Sequence, residues 1–451
     1  MKNNLEVGFY RVVNNPSLGT NVRGYFHQRL TEGYIDDLEI NAIAIKSADT
    51  TVALICVDTM ALQSAFCDKA RQMVANTTGL DKDAVFIHGT HTHVASDLGK
   101  EDELTNDLDR LYYESTINKI VDCVTCAIKD LKPAKMGIAF SKAERIGFNR
   151  RYLMKDGSTK TNPGVNNPDI VKSIGLLDET MNVVRFDRGV DSIVIGNYGN
   201  HPDVIGGNLL SADWPGLARR VFEKAVDNTK CVVFNGAQGD INHVNVKPEK
   251  GDLNGMFVDF DDVTRGYAHS KHMANVVAGA MMNVFEKVEY LDVSDVKFVQ
   301  KDIMVASNMP KPEDMEKARY IQKMVDEGRR DELPEKGMML TTVIAEAKRM
   351  IMWENGPEYI PLHFTAIKIG DIVFAGIPGE PFTGIGMGLK KAKGYKMVLP
   401  CCIVNAYSGY FPMQDSYDEG GYEARSSNFK AGVAETLISE GVKIMENLRK
   451  K

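Results

Sequence analysis

Short apolar runs rich in β-branched residues alternate with amphipathic stretches through most of the chain. Strand side chains alternate with period 2 and helix side chains with period 3.6, which separates the two kinds of run. The predicted strands are INAIAI (41–46), TVALICVDT (51–59), AVFIH (84–88), KMGIAF (135–140), SIVIGNYG (192–199) and KCVVFNG (230–236). The predicted helices cover residues 64–80, 111–131, 216–227 and 265–287. This alternation predicts an α/β fold in which helices flank a mixed, largely buried sheet.

Residues 311–355 depart from this pattern. They are rich in Lys, Glu and Met at helical spacing, which predicts two helices on the outside of the fold. The strand pattern returns at 361–380, where Ile-Gly-Asp-Ile (369–372) predicts a hairpin turn, and residues 426–451 predict a closing helix. No internal repeat or clear linker is visible. We therefore expect residues 1–451 to form a single domain, with 311–355 as a helical excursion.

Composition and charge narrow the class of partner. The 451 residues are 43% hydrophobic and carry a formal net charge of -7, whereas a nucleic acid or an anionic membrane requires a basic surface. No run approaches the ~20 apolar residues of a membrane span, and the N-terminus lacks the apolar core of a secretory signal. We expect a cytoplasmic protein with a small-molecule substrate, no nucleic-acid partner and no integral membrane segment. The sequence is compatible with a homo-oligomer.

The seven cysteines are spread widely. Cys123 and Cys126 form a C-x-x-C within the predicted helix 111–131, whereas a thioredoxin-type motif stands at a strand-to-helix turn. We expect this pair to pack in the core and the thiols to be reduced, as they are in the cytoplasm.

Three of the nine histidines, His88, His91 and His93, fall within FIHGTHTHVASD, directly after a predicted strand. In an extended segment, His-x-His puts both imidazoles on one side, because strand side chains alternate. Two imidazoles so placed can share a metal, or one can bind metal while the other faces a substrate. A hydrogen-bonded loop cluster without metal is the alternative.

Four further loops, most of them after a predicted strand, carry polar residues where ligand sites of α/β proteins gather. They hold His201 in a Gly/Asn/Pro-rich loop, Asp240, Asn242 and His243 in NGAQGDINHV, Glu380 in IPGEPF, and four tyrosines within 407–422. Each loop has a structural alternative: a structural histidine, a tight strand–helix turn, a helix cap or tyrosine packing. Together they favour two or three histidines and a carboxylate around a catalytic zinc with one position open for water.

The pieces GTHTH, GFNR, NHP, SADWPG, NGAQGD, IPGEPF and NAYSGY, with a trailing GGYEA, occur in one order between about residues 18 and 426. In that order they resemble the catalytic N-terminal domain of the neutral/alkaline ceramidase family, which uses zinc to hydrolyse the amide bond of N-acyl sphingoid bases. The resemblance implies one zinc ion per chain, with the ligands His91, His201, Glu380 and Tyr410. It also implies catalytic or substrate contacts from His93, Arg150 and Tyr422, and from Asp240 and Asn242 in the NGAQGD-like loop.

Three departures bear on mechanism and substrate. Asn242 stands where the family has a serine that is important for catalysis, and an amide can orient a water or a carbonyl but cannot act as a hydroxyl nucleophile. The C-terminal β-sandwich of longer members and a signal peptide are both expected to be absent. We therefore expect zinc-activated water to hydrolyse an amide or ester-like bond in a small soluble substrate. Hydrolysis of N-acylsphingosine and ligand binding without turnover are the alternatives.

Overall fold

The computed structural model describes residues 5–96, 98–99, 104, 106–249, 252 and 257–450. Its helices are α1 (Ser64–Thr78), α2 (Asp107–Lys129), α3 (Asp213–Ala225), α4 (Tyr267–Phe285), α5 (Met315–Asp326), α6 (Gly337–Trp353), α7 (Thr383–Leu389), α8 (Gln414–Glu419), α9 (Tyr422–Ser426) and α10 (Val433–Lys450). Its strands are β1 (Glu6–Val13), β2 (Gly33–Tyr34), β3 (Glu39–Ser47), β4 (Thr50–Val57), β5 (Val85–Gly89), β6 (Lys132–Pro133), β7 (Lys135–Lys142), β8 (Phe148–Asn149), β9 (Arg151–Met154), β10 (Thr159–Thr161), β11 (Ile170–Ser173), β12 (Thr180–Asp187), β13 (Ser192–Tyr198), β14 (Leu209–Leu210), β15 (Thr229–Asn235), β16 (Ile241–Asn242), β17 (Phe257–Val258), β18 (Thr264–Arg265), β19 (Glu289–Leu291), β20 (Val296–Ala306), β21 (Tyr359–Ile369), β22 (Ile372–Gly376), β23 (Glu380–Pro381), β24 (Met397–Cys401) and β25 (Tyr410–Phe411).

Three mixed sheets contain most of the longer strands. Their strand orders are β5-β4-β3-β1-β6, β15-β13-β12-β7-β19 and β20-β21-β22-β24. Each sheet has one parallel pair, β4 with β5, β13 with β15 or β22 with β24, and its other pairs are antiparallel. The predicted α/β class with a mixed, buried sheet is confirmed, and three sheets stand where the sequence suggested one.

The three sheets share one local plan, which we call the module: a hairpin, a crossover helix, and a strand parallel to the second hairpin strand. Helix α1 crosses from β4 to β5, α3 from β13 to β15, and α7 from β22 to β24. Parallel neighbours need such a crossover, because a tight turn reverses the chain. The crossover helices have 15, 13 and 7 residues, so no fixed period relates the modules and the sequence shows no repeat.

One central core fills the space between the three sheets. Phe86 of β5, Phe234 of β15 and Phe374 of β22 meet there, with ring centroids 5.8 to 6.4 Å apart. The outer face of each sheet is covered by helices: α1 and α2, α3 and α4, or α7 and α10. On β3, Ile43 faces the central core and Ala44 faces the helices, which explains the unbroken apolar run of that strand.

Other predicted elements are also present. Ile369 pairs with Ile372 across a two-residue turn, so the predicted hairpin is confirmed. Helices α5 and α6 occupy the 311–355 segment and form a small apolar cluster of their own. Cys123 is buried and Cys126 partly buried in α2, which agrees with core packing. None of the described helices combines the length and apolar content that crossing a bilayer requires.

Candidate metal centre and active site

The His-Thr-His run follows β5 and turns sharply. His91 has a left-handed backbone, with φ of 76°, and its N–H donates to the Thr59 carbonyl at 2.8 Å. The run is therefore not extended, and the predicted period-2 geometry is wrong. The turn still brings the two rings together, because the Nε2 atoms of His91 and His93 lie 3.3 Å apart. A left-handed non-glycine residue costs about 1–2 kcal/mol, and such strain is typical of functional sites.

The other two modules deliver side chains to the same point. His201 follows β13, and its Nε2 lies 3.2 Å from the Nε2 of His91. Glu380 begins β23, and its Oε2 lies 3.1 Å from the Nε2 of His91 and 3.7 Å from that of His201. The ligand atoms of His91, His93 and His201 all lie within 4.8 Å of one another, and the four side chains are buried. Three segments that are remote in sequence thus converge on one centre.

The protonation of this cluster suits a metal. The Nδ1 atoms of His91 and His201 face backbone carbonyls, those of Met60 at 2.6 Å and Gln238 at 3.4 Å. A proton on Nδ1 leaves the Nε2 lone pair directed at the centre. Burial lowers the pKa of His201 well below 6.5, which keeps the ring neutral. Burial alone would raise the pKa of Glu380, but its contacts, above all with His91, hold the pKa at about 2, so the carboxylate is ionised.

The separations between these atoms also fit a metal. Zinc bonds of ~2.0–2.1 Å in a tetrahedral arrangement place ligand atoms ~3.3–3.4 Å apart. The four separations measured here, three between His91 and its neighbours and one between His201 and Glu380, run from 3.1 to 3.7 Å. Neutral imidazoles and a carboxylate are the forms that bind divalent transition metals. The residues present therefore fit such an ion.

Arg150 and two tyrosines form one wall beside the cluster. Arg150 Nε donates to Glu423 Oε1 at 2.7 Å, and its Nη2 donates to the Gly239 carbonyl at 2.9 Å and to the Tyr410 hydroxyl at 3.1 Å. The rings of Tyr422 and Tyr410 meet edge to face, with centroids 5.5 Å apart. Burial raises the pKa of Tyr422 above 10, so its hydroxyl keeps its proton at neutral pH. Glu423 had no predicted role, although it lies inside the GGYEA piece.

Asp240 is committed to holding a loop. Its Oδ1 accepts hydrogen bonds from the Thr383 N–H at 2.7 Å and the Thr383 hydroxyl at 2.9 Å, at the start of α7. Its Oδ2 accepts one from Asn149 Nδ2 at 3.2 Å. Burial raises the pKa of Asp240 to about 6. Both oxygens are engaged in joining β8, the NGAQGD loop and α7, and the predicted catalytic role of Asp240 stays a prediction.

Asn242 is engaged at both ends of its amide. Its Nδ2 donates to Asn162 Oδ1 at 2.7 Å, and its Oδ1 accepts from the Val244 N–H at 3.0 Å. The side chain lines a cavity that also reaches His93 and His201. Asn242 is thus a fixed part of the cavity wall.

His88, the third histidine of the first segment, lies outside the metal cluster and joins strands. Its Nδ1 lies 2.7 Å from the Cys402 carbonyl, and its Nε2 accepts from the Asn235 N–H at 3.0 Å. These contacts tie the end of β5 to the ends of β24 and β15. His88 is therefore structural, and it fixes the strand from which His91 and His93 project.

Two supporting residues were missed by the sequence analysis. The Tyr407 hydroxyl donates to Glu380 Oε1 at 2.7 Å. Asp203 Oδ1 lies 3.7 Å from the Nδ1 of His93 and accepts from Arg265 Nε at 3.0 Å. Tyr407 lies inside the NAYSGY piece and Asp203 directly follows the NHP piece, but spacing alone does not reveal their partners, which are remote in sequence.

Two neighbouring cavities open beside the cluster. The inner cavity has a volume of about 50 Å³, and its walls include His93, Arg150, His201, Asn242, Tyr410 and Tyr422. The outer cavity has a volume of about 300 Å³. Asn162, Met338 and Tyr422 line both cavities, so these three side chains stand where the two adjoin.

No protein-family model matches the sequence, and no curated protein matches it. Solved structures do match the fold: neutral ceramidase from Pseudomonas aeruginosa has a TM-score of 0.74 at 15% identity, and the match covers 100% of this chain and 75% of that chain. The chain has the neutral ceramidase fold. A second structure, a ceramidase complexed with C2, has a TM-score of 0.73 at 15% identity, covering 99% of this chain and 75% of that chain. The resemblance carried by the motifs is thereby confirmed at the level of the neutral ceramidase fold.

Proposed function

We propose that the protein is a zinc-dependent hydrolase that cleaves a carbonyl-type bond, a linear amide C–N or an ester-like bond, in a small soluble substrate. The observation that carries this proposal is the convergence of His91, His201 and Glu380, one from each module, beside a cavity. The neutral ceramidase fold supports hydrolysis, because the two matching structures described above are ceramidases.

His91, His201 and Glu380 would hold the ion, with Tyr410 as the fourth ligand that the motif resemblance implies. A zinc ion held there supplies a Lewis acid and lowers the pKa of a water molecule to about 7. Hydrogen bonds from the Nδ1 atoms of His91 and His201 to backbone carbonyls keep both imidazoles in the tautomer whose Nε2 binds metal. The ionised Glu380 offsets part of the charge of the ion.

The charge that develops on the carbonyl oxygen needs hydrogen-bond donors. Arg150, Tyr422 and His93 line the inner cavity and are the candidates. Glu423 and the Gly239 carbonyl hold Arg150 in place, so its guanidinium needs little reorientation when charge develops on the carbonyl oxygen. Loss of one such donor typically costs about 3–4 kcal/mol of transition-state stabilisation. The engaged amide of Asn242 favours a wall role over a direct chemical one.

The walls of the outer cavity include charged groups with which a polar substrate could pair. They carry the charged side chains Lys160, Asp262, Lys336 and Arg425 among threonines and two methionines. The two long alkyl chains of a ceramide require an apolar surface to gain from burial. Ceramide remains the second candidate substrate because the two matching structures described above are ceramidases. Ligand binding without turnover is the third candidate, motivated by Asn242 in place of a serine.

Metal content and hydrolysis test the proposal together. The purified chain should hold about one zinc ion, and His91→Ala and His201→Ala should each lose both zinc and hydrolysis of a panel of short amides and esters. His363→Ala is a matched control, because His363 pairs with Asp302 on the sheet surface at 2.6 Å. Hydrolysis that persists in zinc-free His91→Ala protein would refute the proposal.

The same panel separates the alternatives. Fatty-acid release from a short-chain ceramide in detergent, without hydrolysis of soluble amides, would favour the ceramidase. Full zinc occupancy without turnover of any amide, ester or ceramide would favour a binding protein. Asn242→Ser then provides a further check, since a serine restored at that position should raise turnover only if the hydroxyl takes part in the reaction.

A further inference from the structure

We propose that Met338 is the specificity-determining residue of this site: its side chain limits the bulk of the substrate group that lies next to the reacting carbonyl. The inference rests on the proposed function, since it assumes that substrates bind at the metal cluster. The inference goes beyond that function because none of the sequence motifs assigns the 311–355 excursion, which contains Met338, to the site.

The size of the inner cavity sets the problem. A water molecule needs ~10–15 Å³ of such space, so about 50 Å³ holds roughly three to five non-hydrogen atoms. That is enough for an amide group with one attached carbon. A substrate that occupies both this cavity and the outer cavity of about 300 Å³ passes Asn162, Met338 and Tyr422, the three side chains that line both. We call the space between these side chains the passage, and its width limits the substituents of such a substrate.

Met338 is the adjustable member of these three. Asn162 accepts a hydrogen bond from Asn242 at 2.7 Å, and the ring of Tyr422 packs edge to face against that of Tyr410, with centroids 5.5 Å apart. These contacts fix the positions of both side chains. Methionine is unbranched, flexible and apolar, so its side chain sets the width of the passage through bulk alone.

The backbone that carries Met338 is anchored on both sides. Arg425 of α9 donates to Glu346 of α6 at 3.1 Å, and Arg349 of α6 donates to the Arg425 carbonyl at 3.1 Å. At the start of α6, Gly337 has a left-handed backbone with φ of 52°, and its backbone approaches Asp262 so closely that a Cβ would lie 1.8 Å from Oδ2. Helix α6 is therefore a fixed wall, and the side chain at 338 defines the opening.

The affinity of hydroxamates reports on the width of the passage without requiring turnover. Their head group binds zinc, so their tail must lie in the inner cavity or extend through the passage. Acetohydroxamate fits the inner cavity, whereas the ring of benzohydroxamate must extend through the passage. Dissociation constants are measured by calorimetry on the zinc-loaded full chain, with metal-free protein as the blank. Met339→Ala is the matched control, since Met339 is the next residue on α6 and lines the outer cavity only.

Met338→Ala should favour benzohydroxamate over acetohydroxamate by about tenfold or more relative to the native chain, since one methylene in a snug pocket is worth roughly 10- to 200-fold. Met338→Phe should instead favour acetohydroxamate over benzohydroxamate. This variant replaces Met338→Ala as the test if the alanine variant folds poorly. Met339→Ala should change the ratio by less than about threefold. An unchanged ratio in both Met338 variants, an equal shift in Met339→Ala, or failure of both hydroxamates to bind the native zinc protein would overturn the proposal.

Hydrolysis of the amide and ester panel is measured separately on the same proteins. A shifted hydroxamate ratio without turnover of any substrate would refute the hydrolase while leaving the role of Met338 intact. Turnover in the native chain with an unchanged ratio would refute the role of Met338 alone.

Discussion

Removing the Tyr407 hydroxyl should weaken zinc binding although Tyr407 is not expected to touch the ion. Its hydroxyl donates to Glu380 Oε1 at 2.7 Å, while Glu380 Oε2 faces His91 at 3.1 Å. The hydroxyl thus fixes the rotation of the carboxylate. In Tyr407→Phe the ring remains, and with it the stacking on the His91 ring at 6.3 Å between centroids. The substitution therefore removes one hydrogen bond and little packing.

The size of the effect follows from that bond. A hydrogen bond to a charged group contributes about 1.5–3 kcal/mol net. Loss of a partner that orients a ligand lowers metal affinity about 10- to 100-fold, which corresponds to about 1.4–2.7 kcal/mol. The two ranges agree. We expect Tyr407→Phe to raise the dissociation constant for zinc by about 10- to 100-fold.

Competition with a chelating dye measures this constant. Tyr395→Phe is the control, since the Tyr395 hydroxyl donates to the Met445 carbonyl of α10 at 2.6 Å. Tyr395 lies just before β24, at the amino end of that strand, whereas the metal cluster lies at the carboxyl ends of the strands. The control substitution should lower folding stability by about 1 kcal/mol and leave zinc affinity unchanged. A zinc dissociation constant for Tyr407→Phe within about twofold of the native value would refute the positioning role, as would an equal loss in Tyr395→Phe.

Two further predictions concern the fourth ligand and acid stability. Tyr410→Phe should lower zinc affinity, whereas His93→Gln should keep zinc and lose turnover. The reverse pattern would make His93 the ligand, which the 3.3 Å separation between the Nε2 atoms of His93 and His91 allows. Glu39→Gln should lower the free energy of unfolding at about pH 7 but much less at about pH 3. Burial alone would raise the pKa of Glu39, but Arg219, which donates to it at 2.8 Å, holds the pKa below 4.5, so this stabilisation is present above pH 4.5 and lost as the pH falls. Urea unfolding at both pH values checks this, and an equal difference at both would contradict it.

Local pattern was sufficient for much of the fold. Apolar runs and helical spacing predicted strands β3, β4, β5, β13 and β15 and helices α1 to α4 within a few residues. The turn before Ile372 followed from its Gly-Asp pair. Strands such as β12 and β20 were missed. Polar residues interrupt β12 (TMNVVRFD), and β20 is an edge strand with mostly part-exposed side chains, so neither shows a clean alternation.

The candidate site was predictable only in part. Strand ends identified His91, His201 and Glu380, because ligand sites gather where parallel strands finish. The left-handed turn at His91 was not predictable, since it depends on a hydrogen bond to Thr59 from another strand end. The structural role of His88 was not predictable for the same reason, because its partners are Asn235 at the end of β15 and Cys402 just after β24. Contacts between residues that are remote in sequence produce no characteristic spacing along the chain, so they cannot be predicted from local pattern.

The module plan explains why the metal cluster lies where it does. A parallel pair directs both of its carboxyl ends to one edge of its sheet, and each of the three modules has one such pair. Because the three sheets pack around one core, their carboxyl ends meet at a single place. His91, His201 and Glu380 leave three different modules there, so an ion bound by them would join all three sheets. Binding free energy from that ion would then add to folding free energy, since the ligands converge only in the folded chain.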